Sequence, residues 1–395
     1  MKNINPSTGS GLILRGPCAL LSQDSSRGHR SIKNVFLSAI HQNAGKTTIA
    51  LGLYKLFREH GLRAAFMKPV GQRVVTVKDR HVDKDSYLMG EVYHCWQRFK
   101  QMSPITLERG FTERYIFHPH KEALRREIQK AFWELSRDKD ALIIEGTGHA
   151  GVGSVIDFSN ADVASLLGSQ VIIISEGGIG KSIDEIMLNK ASFDLQNVEI
   201  LGVIINKVLP EKYAKIRRTL KQGLKNKGIR LLGVIPLDPV LQSPTVRQVM
   251  NQLGLGLLCG KGLLDTHVRH TIVAAMEPQN MITYLKDGAL VITSGDRIDN
   301  ILVSISTHLI SRGVRFRIAG IILTGGMVPD VRIGNLLKKS KIPVLLSPQD
   351  TYTVAGKIES LICKIEKTDK DKIRTAMRLV KKYVDVEAII KNLRS

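Results

Sequence analysis

Gly45, Lys46, Thr47 and Thr48 are the residues whose types and spacing point most directly to chemistry in this chain. They close a short loop after an apolar run, Val35 to Ala39, and Ile49 to His60 continue with helical spacing. Strand, loop, Gly-Lys-Thr and helix is a layout that binds polyphosphate. Backbone N–H groups at the helix start face the phosphates, the lysine neutralises β/γ charge, and a hydroxyl holds Mg²⁺. Gln42, Asn43, Ala44, Gly45, Lys46, Thr47 and Thr48 are accordingly the expected nucleotide-binding stretch. The G-x-x-x-x-G-K-[ST] pattern asks for glycine at position 40, where Ile40 stands after Ala39. A chance Gly-Lys-Thr at a helix start therefore remains the competing local reading.

Two other glycine-rich runs compete for the same role. Gly146 to Gly151 fits G-x-G-x-x-G after a strand, but Gly153, Ser154 and Asp157 follow without a helix to receive a pyrophosphate. Gly177 to Ser182 also follows a strand and opens a helix. Position separates the candidates. A P-loop needs a later strand that delivers an acid to Mg²⁺, and Ile143-Ile144-Glu145 follows the first candidate. The strand after the second ends in Asn206-Lys207, so that turn is expected near a substrate or subunit contact.

Strands and helices must alternate to position these residues. Beyond Val35–Ala39, strands are expected over Arg63–Met67, Ala141–Ile144, Val171–Ile174, Leu201–Ile205 and Leu231–Ile235. Asp83-Lys84-Asp85-Ser86 caps a helix to about Cys95, and His120–Arg137 reads as a long amphipathic helix. Residues 97–118 read as irregular. The pattern implies a mainly parallel sheet with helices on both faces, and ligands at the carboxyl ends of its strands. A second series follows: Ala289–Thr293 and then Gly295-Asp296-Arg297, Ile318–Leu323 and then Thr324-Gly325-Gly326, Val344–Leu346 and then Asp350-Thr351. Its glycine turns are either tight connections or a ligand site. The expected organisation is a mobile leader over 1–31, a P-loop domain over 32–254, a connector over 255–285, a second α/β domain over 286–368 and a basic amphipathic helix over 369–395. That last helix is expected as a packing or dimer element.

Composition bounds the rest. With 395 residues, 43% of them hydrophobic and 24% charged, the chain can build two proper cores. Cys18, Cys95, Cys259 and Cys363 are far apart, which argues against a disulfide framework or a zinc site and fits the cytoplasm. No apolar run reaches the length of a membrane span, and Arg15 interrupts the short run at Gly11–Leu14 that could have begun a signal peptide. The net charge of +22 could mean nucleic-acid or acidic-membrane contact. Its basic residues are interleaved with acids, as over Lys121–Lys139, so we read them as solvated faces and expect no nucleic-acid partner.

Taken in order, residues 33 to about 240 resemble dethiobiotin synthetase, and more closely the dethiobiotin-synthetase-like part of long phosphate acetyltransferases. That family's loop carries an extra residue, which sets its first glycine at Ala39. Lys68-Pro69-Val70 is similar to its K-P-V segment, and Asp85 falls where it keeps a Mg²⁺-binding aspartate. Glu145-Gly146-Thr147-Gly148-His149 resembles its E-G-x-G-G, Asn206-Lys207 its adenine-side asparagine, and Leu232 to Pro236 its L-G-x-I-P strand. Residues 286 to 365 resemble the DRTGG domain that follows in the same enzymes. The resemblance implies ATP and Mg²⁺ as cofactors, with Thr47, Asp85 and Glu145 on the metal, Asn206 on the nucleotide, and Lys46 and Lys68 as the catalytic cations. The family's T-D-T is replaced by Ile40-His41-Gln42, and its last glycine by His149, so the groups near a second substrate differ.

Two functions follow from this resemblance. One is a nucleotide-responsive regulatory or binding protein, forming a homo-oligomer and acting on a separately encoded enzyme partner. The other is an ATP-dependent ligase that activates a carboxylate or carbamate as an acyl phosphate, as in dethiobiotin synthetase or cobyrinic acid a,c-diamide synthase. The family's acetyl transfer resides in a further large domain, so none is expected of these residues.

Overall fold

The computed structural model describes residues 33–310 and 317–394; the leader expected over 1–31 lies outside the described residues. Strands β1 (Lys33–Ala39), β2 (Ala64–Met67), β3 (Ala141–Glu145), β4 (Gln170–Glu176), β5 (Ile200–Val208) and β6 (Leu231–Pro236) form one sheet in the order β6-β5-β4-β1-β3-β2. Every pairing in it is parallel. Val35, Phe36 and Leu37 are wholly buried in central β1, as continuous apolar runs are when helices cover both faces. The register sets Leu37 opposite Glu145 and Ala39 opposite Ile174. The loop after β1 therefore meets the ends of β3 and β4 at one edge.

Helix α1 (Lys46–Glu59) follows that loop and buries Ile49, Leu53 and Phe57, while Lys55 and Glu59 pair on its outer face at 2.9 Å. Helix α2 (Lys84–Tyr93) starts where Asp83 caps it, accepting from the Asp85 amide at 2.8 Å. The stretch expected to be irregular contains two short helices, Phe99–Met102 and Phe111–Phe117. One or two turns are too few for a 3.6-residue period to show in the sequence. The long helix expected near 120–137 spans Lys121–Ser136.

After helix α3 (Val246–Leu253), a smaller sheet forms from β7 (Gly256–Cys259), β8 (His270–Val273), β9 (Ala289–Ser294), β10 (Ile318–Thr324) and β11 (Val344–Leu346). Its order is β7-β11-β10-β9-β8, with only β7 antiparallel to its neighbour. Alternate residues feed two cores. Val291 and Ile321 pack with Met281 and Ile301 on one face, while Leu290, Ile292 and Ile322 pack with Val246 and Val354 on the other. The stretch expected as a connector over 255–285 thus supplies both edge strands. Each is four residues long and only partly buried, so neither carries a strong apolar signal.

Helix α4 (Thr351–Glu359), capped by Asp350, closes this second part. The single helix expected over 369–395 is two, α5 (Lys370–Tyr383) and α6 (Val386–Arg394). They break where Gly233 of β6 bridges Val384 and the Asp385 amide donates to the Leu232 carbonyl. The chain has returned to the first sheet. Helix α5 lies directly on α1: a Cβ on Gly52 would stand 2.3 Å from the Val380 Cβ. The apolar face expected for packing or dimerisation is therefore buried within the chain, through Ile373, Ala376, Leu379 and Val380. Among the described residues no helix is long and apolar enough to cross a membrane.

Candidate functional site

A cavity of about 500 Å³ opens at the carboxyl edge of the first sheet, and the loop after β1 forms its floor. The turn depends on two left-handed residues, Asn43 at φ 64° and Gly45 at φ 105°. Glycine at 45 is a steric necessity as well as a conformational one, because a Cβ there would lie 2.1 Å from Asn206 Nδ2. Asn206 Nδ2 donates to the Ala44 carbonyl at 2.9 Å, and Lys207 Nζ to the Asn43 carbonyl at 2.7 Å. The end of β5 thus fixes the loop. Lys207 also meets Glu176 of β4 at 2.7 Å, and Glu176 faces His41 Nε2 at 3.3 Å.

Lys46 opens α1, with 7% of its surface exposed. Burial pushes its ammonium down to about 8, although Glu145 opposes the shift. Among the described residues it has no hydrogen-bond or ion-pair partner. A desolvated cation at a helix N-terminus with no directly paired acid is suited to an anion. Beside it, Thr47 Oγ1 donates to Glu145 Oε1 at 3.0 Å.

Glu145 is buried at the end of β3, and burial holds its carboxyl above the ordinary range. Its Oε1 also takes Lys68 Nζ at 3.3 Å, whereas its buried Oε2 has no hydrogen-bond partner among the described residues. An orphaned carboxylate oxygen beside a threonine hydroxyl is a donor set suited to Mg²⁺ completed by phosphate oxygens and water. Asp85 instead pairs closely with Lys68, which also lies 3.8 Å from Asp83. Burial alone would lower the Lys68 ammonium, but Asp85, Glu145 and Asp83 together hold it above its ordinary value. Burial would likewise raise Asp85, yet Lys68 first and Lys364 next hold it below the usual carboxylate range. Among the described residues no group of three His, Cys, Asp or Glu side chains is arranged to hold a metal unaided.

Lys46, Lys68, Asp85, Glu145, Asn206, Thr47, Thr48, Gln42, Asn43 and Gly45 all line this cavity. Ala44 does not: it is fully buried, with its carbonyl engaged by Asn206. The rival turn at Gly177–Ser182 opens the Gly180–Leu195 helix, but its Lys181 is 83% exposed in side chain and pairs outward with Glu185 at 3.7 Å. The turn at Gly146–Gly151 leads into a 3₁₀ turn over Ser154–Ile156, so it offers no long helix start.

Arg73, Lys207, Asp238 and Lys364 also line the cavity, and sequence reasoning did not assign them to it. Lys207 adjoins the asparagine of the Asn206-Lys207 signal. Nothing local marks Arg73 or Lys364, because the first lies just before a short hairpin, Val74–Val77 with Arg80–Asp83, and the second follows the other sheet. In that second part, Gly295-Asp296 and the Thr324-Gly325-Gly326 turn lie at the ends of adjacent strands. Gly325 and Gly326 both take positive φ, 77° and 68°, and a Cβ on Gly295 would meet the Met327 carbonyl oxygen at 1.8 Å. A groove there is lined by Gly295, Asp296, Met327, Asp330 and Arg332.

Comparison with known proteins agrees with this division. A family model described as AAA domain matches residues 33–245, and one described as DRTGG domain matches residues 248–361. The phosphate acetyltransferase of Nitratidesulfovibrio vulgaris is 27% identical over 362 residues, covering 89% of this chain and 50% of its own. That of Synechocystis sp. is 27% identical over 381 residues, covering 92% and 52%. The chain therefore spans about half the length of the curated relatives it matches. Among solved structures, cobyrinic acid a,c-diamide synthase from Mycobacterium smegmatis, with bound ADP and magnesium, is 14% identical at a TM-score of 0.37. That match covers 52% of this chain and 87% of the other. The CBS and DRTGG domains of the Clostridium perfringens pyrophosphatase regulatory region are 16% identical at a TM-score of 0.24, covering 35% and 66%. The expected dethiobiotin-synthetase-like P-loop part followed by a DRTGG part, as in long phosphate acetyltransferases, is met.

Proposed function

The chain belongs to the P-loop family described as the AAA domain, matched over residues 33–245, and on that premise we propose that it is a MgATP-binding regulatory protein of the cytoplasm. The observation that supports this reading is Lys46, a buried ammonium at the start of α1 with no partner among the described residues. The amides of Gly45 to Thr48 cradle the phosphates, Lys46 takes a terminal phosphate oxygen, and Asn206 borders the adenine side. Thr47 and the Oε2 of Glu145 would hold Mg²⁺, with Asp85 near them. A Mg²⁺ held there would supply screening of the phosphate charge.

Regulation is favoured over ligation by the state of Lys68. A lysine that neutralises an acyl phosphate must offer its charge to that group, and here Asp85, Glu145 and Asp83 already surround it. Nucleotide state would then be read out by an acetyltransferase partner in a homo-oligomeric assembly. The test pairs binding with turnover. MgATP should raise the melting temperature of the full chain, while phosphate release in the presence of small carboxylates stays at the rate without them. Carboxylate-stimulated ADP formation that follows the protein through purification would favour the ligase instead.

A further inference from the structure

In the segment between α4 and α5, residues 361–365 form a strap that lines the cavity together with the loop after β1. It is pinned along its length. Gln252 and Gln248 of α3 donate to the Ile362 and Lys364 carbonyls at 3.1 and 3.0 Å. Lys367 reaches across to α2, donating to the Tyr87 hydroxyl at 2.5 Å and the Glu91 carboxylate at 3.2 Å. Behind the strap, Gln248 also donates to Asp369 at 3.0 Å, and fully buried Lys372 lies 3.7 Å from the same carboxylate.

One side chain of this pinned strap is charged and faces the cavity. Lys364 is partly buried, and among the described residues its ammonium has no hydrogen-bond or ion-pair partner. Its electrostatic neighbours are Asp85, Arg73, Lys68 and Glu145, the groups at the metal end of the cavity rather than those near Asn206 and Pro236. Burial lowers its ammonium, so an arriving anion would relieve a cost already present. Lys68 is consumed by carboxylates, which leaves Lys46 and Lys364 as the lysines around the same space whose ammonium groups have no partner among the described residues.

We propose that Lys364 is a nucleotide-binding residue, delivered by the strap from beyond the second sheet to the terminal phosphate. The inference rests on the reading of the cavity as a MgATP site. It makes that site discontinuous: residues 45–48 supply one wall and residue 364 another. Selectivity for a triphosphate over a diphosphate then depends on a segment held by α3, at the root of the DRTGG part.

Calorimetric titration of the full chain with MgATP and with MgADP tests this. Lys364→Met keeps the aliphatic stem and removes the charge. Its MgATP dissociation constant should rise about 10-fold or more, as expected for one charge-assisted contact, while that for MgADP rises less than about 3-fold. Lys364→Arg, which keeps the charge, should retain most of the preference for ATP. Unchanged ATP affinity in Lys364→Met would overturn the proposal and leave the nucleotide site standing. Equal losses for ATP and ADP, with a lowered melting temperature, would overturn it in favour of a scaffold role. Failure of the unmodified chain to bind either nucleotide would overturn both readings.

Discussion

Lys46 carries two opposite obligations, and they set the first prediction. Its ammonium is pushed from 10.5 to about 8 by burial, so at neutral pH the folded chain holds a charge it would more readily shed. That penalty is on the order of 3 kcal/mol, is fully present below pH 8, and fades as pH rises from about 8 towards the unfolded value. Lys46→Met should therefore stabilise the ligand-free chain at pH 7, with the gain shrinking by pH 10 in denaturant melts. ATP binding runs the other way, because the phosphate needs the charged lysine. Measured without metal, affinity should fall as pH rises through 8, with proton uptake visible as a buffer-dependent heat. The Glu145→Gln variant should lose more affinity with Mg²⁺ present than with chelator. Equal losses in both conditions would remove Glu145 from the metal's surroundings.

At the scale of elements, the contact of α5 with α1 is what the fold adds beyond its local signals. Gly52 sits mid-helix, where alanine is ordinarily better by about 1 kcal/mol. Here the added methyl would collide with Val380, so Gly52→Ala should destabilise by about 1–3 kcal/mol despite the better helix propensity. Chemical denaturation reads the sign directly, and a stabilised variant would mean that α5 does not pack there. The six strands of the first sheet were legible because each is a continuous apolar run between glycine or polar turns. The meeting of Lys46, Thr47 and Glu145 was legible from chain order, a Gly-Lys-Thr at a helix start and a later apolar strand ending on an acid, and the structure sets that strand beside the one before the loop. Edge strands β7 and β8 were not, since half-buried four-residue runs carry little periodicity.

At the scale of the molecule, the hidden feature is a return path. The second sheet is inserted between the first sheet and the two helices that complete it, so residues 362–394 are distant in sequence from the surface they cover. No local pattern encodes such a return. The basic amphipathic face of α5 was visible, but what it covers was not, because a helix face specifies that it must be buried and not against what. The same detour explains why Lys364 escaped the sequence reading while Lys46 did not. It also brings segments from either side of the DRTGG part, residues 236–242 and 361–365, to one cavity.

The central claim is that the loop at Gly45–Thr48 binds MgATP through Lys46. Calorimetric titration of the full chain with MgATP at pH 7, beside the Lys46→Met variant, tests it most directly. One-site binding should appear, weakened roughly 10- to 100-fold in the variant, as expected when a buried charge-assisted contact of about 1.5–3 kcal/mol is removed. Equal affinity in both proteins, or no heat from the unmodified chain, would contradict it.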